Sequence, residues 1–437
     1  MRYSRDRNPP SAAAYRPAFL KESIPVQEKR NNSATSEEEA LLDQALSIHR
    51  TAIVMNAAVM SSQVLIRPGR DIGKRWQGLA PGTGDLDLPR LRDGEVNVLW
   101  QAVCGSTGED EVKIPLQGLE LIDTLLTDIL DRYPDDFELA LTVSDVRRIR
   151  EQGKIAVLLG MQAGQFLGGS VRALRVYRRL GVRYMTLTHA WTNSLCDSSS
   201  GDIRWNGLSE VGREVVREMG TLGMIPDISH ATDRAARQVL ELSRGPVIAT
   251  HSNARALCCP LPEMARVLGA ESLKERNLSD DLIRGLADRG GVACVNFAPA
   301  LVSQAFSDSY PKLKELRPAL NAHLETFRAA HPDDVEALRE EQERFMRAHG
   351  ITPATLADAA DHIEHIARVG GWEHVGIGTD WEGTGGFHPR HLEDVSKIPL
   401  LTAELLRRGH SESEIRRVLG ENMLRVLGKA QEVEMQE

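Results

Sequence analysis

Residues 209–251, SEVGREVVREMGTLGMIPDISHATDRAARQVLELSRGPVIATH, carry the pattern that decides the fold. Apolar residues spaced three and four apart predict helices over 209–222 and 233–242, and each helix runs into a short apolar stretch, 224–227 and 246–250. Each stretch then closes on a histidine, His230 or His251. Short strands separated by single helices are parallel strands with helical returns, and polar groups collected just past strand ends mark the working face of such a sheet.

The same alternation extends in both directions. Strands are predicted at 52–60, 96–103, 155–160, 184–188, 292–296 and 375–379, with helices at 38–49, 116–133, 143–152 (capped near Ser144), 170–180 and 279–288, and a C-terminal helix pair at 399–408 and 411–427. With the two runs above, the strands number eight. The fold class is therefore α/β, a (β/α)8 TIM-type barrel with long inserted loops after strands 6 and 7, at 258–275 and 305–360. A doubly wound open sheet is the competing architecture, and it too would place its site at strand C-termini. Residues 1–37, rich in Pro, Ser, Ala, Asn and charge, read as a flexible N-terminal arm, and 38–430 as one domain.

Composition narrows the function classes. A net charge of -9 over 437 residues disfavours a nucleic-acid surface. No window of about 18 apolar residues exists to cross a membrane, and the first twenty residues lack a secretory core, so the expected location is the cytoplasm. Five cysteines without CxxC spacing suit a reducing compartment. Among them Cys196 is a candidate thiol nucleophile, with a buried structural role as the alternative. Trp191, Trp205 and Trp381 are candidates to line a pocket or to pack in the core.

Four polar residues at strand ends or just beyond them, and Arg276 before the helix start at Ser279, are candidate site groups. His230 and His251 can converge on one cation through neutral imidazoles. Asp380, in VGIGTDWEG, can move a proton between water and a leaving amine, and could assist the histidines as a ligand. His189, in LTHAWTN, can polarise a carbonyl or bind substrate, and Arg276, in KERNLSDD, can clamp a carboxylate.

At RYMTLTHAWTNSLCDSS (183–199), GLSEVGREVVREMGTLGMIPDISHATD (207–233), VIATHSNARAL (247–257), RNLSDDLIRGLADRGGVACVNF (276–297) and HVGIGTDWEG (374–383), the chain resembles the renal (membrane) dipeptidases, which are barrel peptidases of the amidohydrolase type. The resemblance runs from about residue 45 to 427. It implies a barrel with two zinc ions that hydrolyses dipeptides, including those with a dehydro or D residue in second place, commonly as a homodimer. It also implies that His230 and His251 match ligands of the second zinc, that His189 and Arg276 match substrate-binding groups, and that Asp380 matches the catalytic aspartate.

Four positions depart from the family pattern. Where the family has a His-x-Asp pair this chain has Asn56 and Ala58, and where it has the bridging Glu and a nearby His this chain has Gln162 and Gln165. The expected cofactor is accordingly one zinc or other divalent ion at most, or none. The expected function is a dipeptidase-like enzyme acting on a dipeptide or small peptide-derived amide. The alternatives are a non-hydrolytic enzyme (proton transfer, elimination or isomerisation) on a peptide-derived small molecule, or a non-catalytic binding protein on the same barrel.

Overall fold

The computed structural model describes residues 32–66, 69–76, 84–105, 113–260, 274–332, 334–384 and 386–434. Among the described residues nine strands form one parallel sheet: β1 (Met55–Val59), β2 (Val98–Val103), β3 (Phe137–Leu139), β4 (Ile155–Gln162), β5 (Val182–Thr186), β6 (Ile225–Asp227), β7 (Ile248–Ala249), β8 (Val292–Val295) and β9 (Val375–Ile377). Eight of them follow one another around the barrel in the order β1-β2-β4-β5-β6-β7-β8-β9. The expected (β/α)8 architecture is therefore present, and the open doubly wound sheet is not.

β3 was not predicted, because three residues (FEL) are too short to show a period. It pairs with the start of β4, from Phe137↔Ile155 to Leu139↔Val157, and β5 takes over along β4 from Leu159↔Val182. The helix expected over 143–152 is found at Val143–Glu151, but its cap is Thr142 rather than Ser144. The Thr142 hydroxyl accepts from the Asp145 amide while the Asp145 carboxylate accepts from the Thr142 amide, a reciprocal pair that Ser144 could not form. The first helix spans Asn32–Thr51, so it begins inside the segment read as an arm; residues 1–31 of that arm lie outside the described residues. The first insert lies largely outside them too, whereas the second is helical, at Gln304–Ala330 and Val335–Ala348, before the crossover helix Leu356–Gly370.

Side-chain alternation along the strands builds two apolar layers. Met55, Ala57, Val98, Trp100, Ala102, Ala156, Leu158, Tyr184, Ile248 and Cys294 fill the barrel, where the Trp100 and Tyr184 rings meet edge to face at 5.3 Å. Met423, Leu424 and Leu427 of the C-terminal helix Asn422–Glu434 join that cluster. The neighbouring residues Leu99, Val103, Val157, Leu159 and Met161 belong to the outer layer under the helices.

The ring closes by side-chain bonding as much as by strand pairing. Between β1 and the end of β9 there is an isolated bridge, Val59↔Trp381, and one amide bond from Asp380 to the Ala58 carbonyl, 3.1 Å. Asn56 supplies the rest. Its amide nitrogen donates to Thr379 Oγ1 (2.6 Å), and its oxygen accepts from the Thr379 amide (3.1 Å) and the Ala58 amide (3.3 Å). The position expected to be a lost metal ligand is thus a staple across the seam. Asn56→Ala leaves two buried backbone donors without this acceptor, each worth about 1–3 kcal/mol. Urea unfolding is expected to show a loss of about 2–4 kcal/mol with an unchanged slope.

Candidate active site at the barrel mouth

A cavity of about 650 Å³ opens at the C-terminal ends of the strands, and His189, His230, Arg276 and Asp380 all line it. His189 follows β5, His230 follows β6 and His251 follows β7, so neighbouring strands deliver three imidazoles in sequence. Ring centroids are 4.5 Å apart for His189 and His230, and 5.0 Å apart for His230 and His251. His230 and Asp380 both hold left-handed backbone, with φ of 67° and 62°. For residues with a Cβ this conformation costs on the order of 1 kcal/mol or more, and it persists where the surroundings enforce it, as at functional sites.

Asp227, at the end of β6, was not among the expected site residues, yet it orients His251. Its carboxylate accepts from the Thr186 and Thr250 hydroxyls, each at 2.6 Å, and from the amides of Ser229 and Thr250. Because Thr250 spends its proton on Asp227, its oxygen accepts from His251 Nδ1–H, 2.7 Å away. His251 Nε2 then carries a lone pair, facing His230 Nε2 at 3.0 Å and the Gln162 amide nitrogen at 3.2 Å. His230 Nε2 also lies 3.2 Å from Arg276 Nη2. It can donate to His251 or accept from Arg276, but not both.

Arg276 is 4% exposed and is fixed by the His251 carbonyl (2.9 Å) and Ser252 Oγ (3.0 Å). Burial, reinforced by the Arg276 charge, holds His189 down at about 4 and His230 and His251 well below the usual histidine range. All three are neutral near pH 7. Burial raises the Asp380 carboxyl to about 6, although Arg276 and the Asn296 amide (3.1 Å) both oppose the rise. The site therefore combines one fixed cation, one carboxyl that titrates close to neutrality, and three uncharged imidazoles. Such a set can bind a carboxylate, donate a hydrogen bond to a carbonyl and transfer a proton.

Of the remaining expected positions, Gln162 is in the cluster, with its oxygen buried and unpartnered. Ala58 is buried in the seam, and Gln165 turns aside to accept from Asn193 at 3.5 Å. Cys196 is buried with its sulfur against the Asp197 carbonyl, and burial pushes its thiol up, so it takes the structural role. Trp381 packs edge to face on Phe297 at 5.7 Å and, like Trp191 and Trp205, does not line the cavity. Asn296 was missed as a site residue although it ends a strand like the others; it donates to Asp380 and to the His251 carbonyl.

The residues present do not fit a pair of metal ions. Two dications need anionic ligands between and around them, and Asn56, Ala58, Gln162 and Gln165 provide none. Among the described residues no group of three or more His, Cys, Asp or Glu side chains is arranged to hold a metal ion.

A parallel eight-stranded barrel with its polar groups gathered at the strand C-termini defines an enzyme-type TIM barrel. Within that class, residues 42–437 match the membrane dipeptidase family, peptidase family M19, and the chain belongs to it. It is 31% identical over 371 residues to dipeptidase tcpJ of Claviceps purpurea, covering 83% of this chain and 73% of that protein. It is 32% identical over 359 residues to dipeptidase aclJ of Aspergillus oryzae, covering 80% and 71%. Among solved structures it is similar to the probable dipeptidase PvdM of Pseudomonas aeruginosa, with a TM-score of 0.72 and 25% identity over 90% of this chain and 99% of that one. A Rhodobacter sphaeroides metallopeptidase bound to a phosphinate mimic of L-Ala-D-Ala shares the fold, with a TM-score of 0.65 and 20% identity over 87% and 99%. The chain is dipeptidase-like.

Proposed function

We propose that the chain acts on a dipeptide or small peptide-derived amide held in the mouth cavity, with at most one divalent ion per chain. The observation that carries this reading is the convergence of Arg276, Asp380, His189 and His230 on one cavity. Arg276 clamps the substrate carboxylate, His189 polarises the scissile carbonyl, and Asp380 takes a proton from water and returns it to the leaving amine. His230 and His251 are the residues that would hold a single ion. Such an ion would lower the pKa of bound water.

Without a two-ion centre, turnover depends on proton transfer and positioning, and it is expected to be slow beside a fully metal-activated hydrolysis. That the relatives are dipeptidases favours amide cleavage over the non-hydrolytic and binding-only alternatives. A single domain over 38–430, a homodimer and a cytoplasmic location belong to the same proposal. No described helix is long and apolar enough to cross a membrane.

Elemental analysis of protein purified without chelator should find no more than one metal per chain; two would overturn the ligand argument. Amine release from a panel of dipeptides and dehydropeptides should be measurable and should depend on Asp380. Arg276-dependent binding of every panel member without any product would overturn the hydrolytic reading.

A further inference from the structure

The polar groups occupy only part of the cavity. Phe306, Tyr310 and Phe387, together with Leu301, line another part, and Met60 and Leu121 add to the apolar surface. Phe306 stands in the middle of an aromatic row, its ring 6.2 Å from Tyr310 and 6.2 Å from Phe387. Phe306 and Phe387 are 2% and 7% exposed, and the Arg317 guanidinium sits 5.3 Å from the Phe387 ring centre. The row is thus packed in place before any ligand arrives.

Phe306 and Tyr310 belong to the first two turns of the helix Gln304–Ala330, which lies in the excursion between β8 and β9. Phe387 comes from the loop that follows β9. The strand ends therefore supply the imidazoles and Asp380, the turn Lys274–Arg276 before the next helix supplies Arg276, and the excursion and the last loop supply most of the aromatic wall. A cavity of about 650 Å³ falls within the roughly 300–1,000 Å³ that encloses drug-sized ligands. The smallest dipeptides would leave the partly exposed Tyr310 ring and the remaining open edge of this wall in contact with water, which forgoes the burial that an apolar group on the ligand would gain there.

Resting on the function proposed above, we propose that the substrate is two-ended: a carboxylate bound by Arg276, and a bulky apolar group, best an aromatic ring, set against Phe306, Tyr310 and Phe387. Offset or edge-on stacking on this row supplies selectivity that the polar groups cannot, because a carboxylate is common to every unblocked dipeptide.

Equilibrium binding by calorimetry, with turnover suppressed by Asp380→Asn in every sample, tests this with phenylalanyl-phenylalanine and glycylglycine as probes. The aromatic dipeptide should bind at least about tenfold tighter, the gain expected for burying one or two rings. Tyr310→Ala, at a half-buried position, should cut that ratio by roughly threefold or more while leaving glycylglycine unchanged. Phe387→Leu, which keeps apolar bulk, provides a second variant and should shrink the ratio in the same direction. Arg276→Lys should weaken both probes alike. Equal affinity of the two probes, still weakened by Arg276→Lys, would overturn the two-ended substrate while sparing the site. A ratio that neither aromatic substitution alters would overturn it as well. Binding of neither probe would overturn both this inference and the function beneath it.

Discussion

Asp380→Asn is expected to lower turnover of any substrate by roughly 10²- to 10⁴-fold, the range for loss of a positioned acid–base group. The substitution conserves size, and the asparagine oxygen can still accept from Asn296, so thermal stability should change little. The wild-type pH profile carries a second signature. A base must be ionised to work, and burial raises this carboxyl to about 6, so turnover should climb as pH rises through about 6 rather than near 4. Turnover of the Asn variant, measured from pH 5 to 8, should lack that limb. Retention of full activity, or a wild-type profile flat across pH 6, would remove Asp380 from the chemistry.

Arg276→Met is the other change with a large expected effect. It removes a buried cation that would meet the substrate carboxylate, and unpairing a buried charged contact costs about 2–5 kcal/mol, or roughly 30- to several-thousand-fold in affinity. Two linked effects report the loss of its charge from the cluster, beside the loss of affinity that reports the clamp. Arg276 lowers Asp380, so its removal should move the acid limb of the activity profile to higher pH. Arg276 also depresses His230 and His251, so their imidazoles should protonate more readily in the variant, which histidine NMR titration would report. Unchanged affinity for a carboxylate-bearing dipeptide in a folded variant would refute the clamp.

The structure shows what the residues at three of the four departures from the resembled pattern do in this chain. A carboxylate at the position of Gln162 and a His-x-Asp pair at Asn56 and Ala58 would crowd anions into a buried mouth, which is costly without cations to offset them. The amides that stand there instead are hydrogen-bonded. Asn56 joins β1 to the residues after β9, and the Gln162 amide nitrogen lies against His251. Among these groups the Gln162 oxygen, buried and unpartnered, is the atom whose demand the protein itself leaves unmet.

Most of the barrel was legible from local pattern. Strands such as Ile155–Gln162 are buried along their whole length and read as continuous apolar runs, and the intervening helices show one apolar face. His189, His230, His251 and Asp380 were legible because each stands just past a strand end, where a parallel barrel places its working groups. The three-residue β3 was not, since so short a segment forms only because β4 leaves an edge for it. Asp227 looked like the polar end of a strand and became the support of His251 through Thr250. The tryptophans illustrate the limit from the other side: sequence left Trp191, Trp205 and Trp381 open between pocket wall and core, and the structure packs Trp381 in the core while the wall is made by Phe306, Tyr310 and Phe387.

The order of residues alone therefore determined the barrel and the family, because these follow from periodicity, spacing and residue identity. Only the tertiary structure decided that Asn56 fastens the seam, that Arg276 stands as a fixed cation against uncharged imidazoles, and that an aromatic row lines the same cavity. Those facts depend on contacts between residues tens to hundreds of positions apart, whose geometry is set by how strands and excursions pack and not by any local pattern.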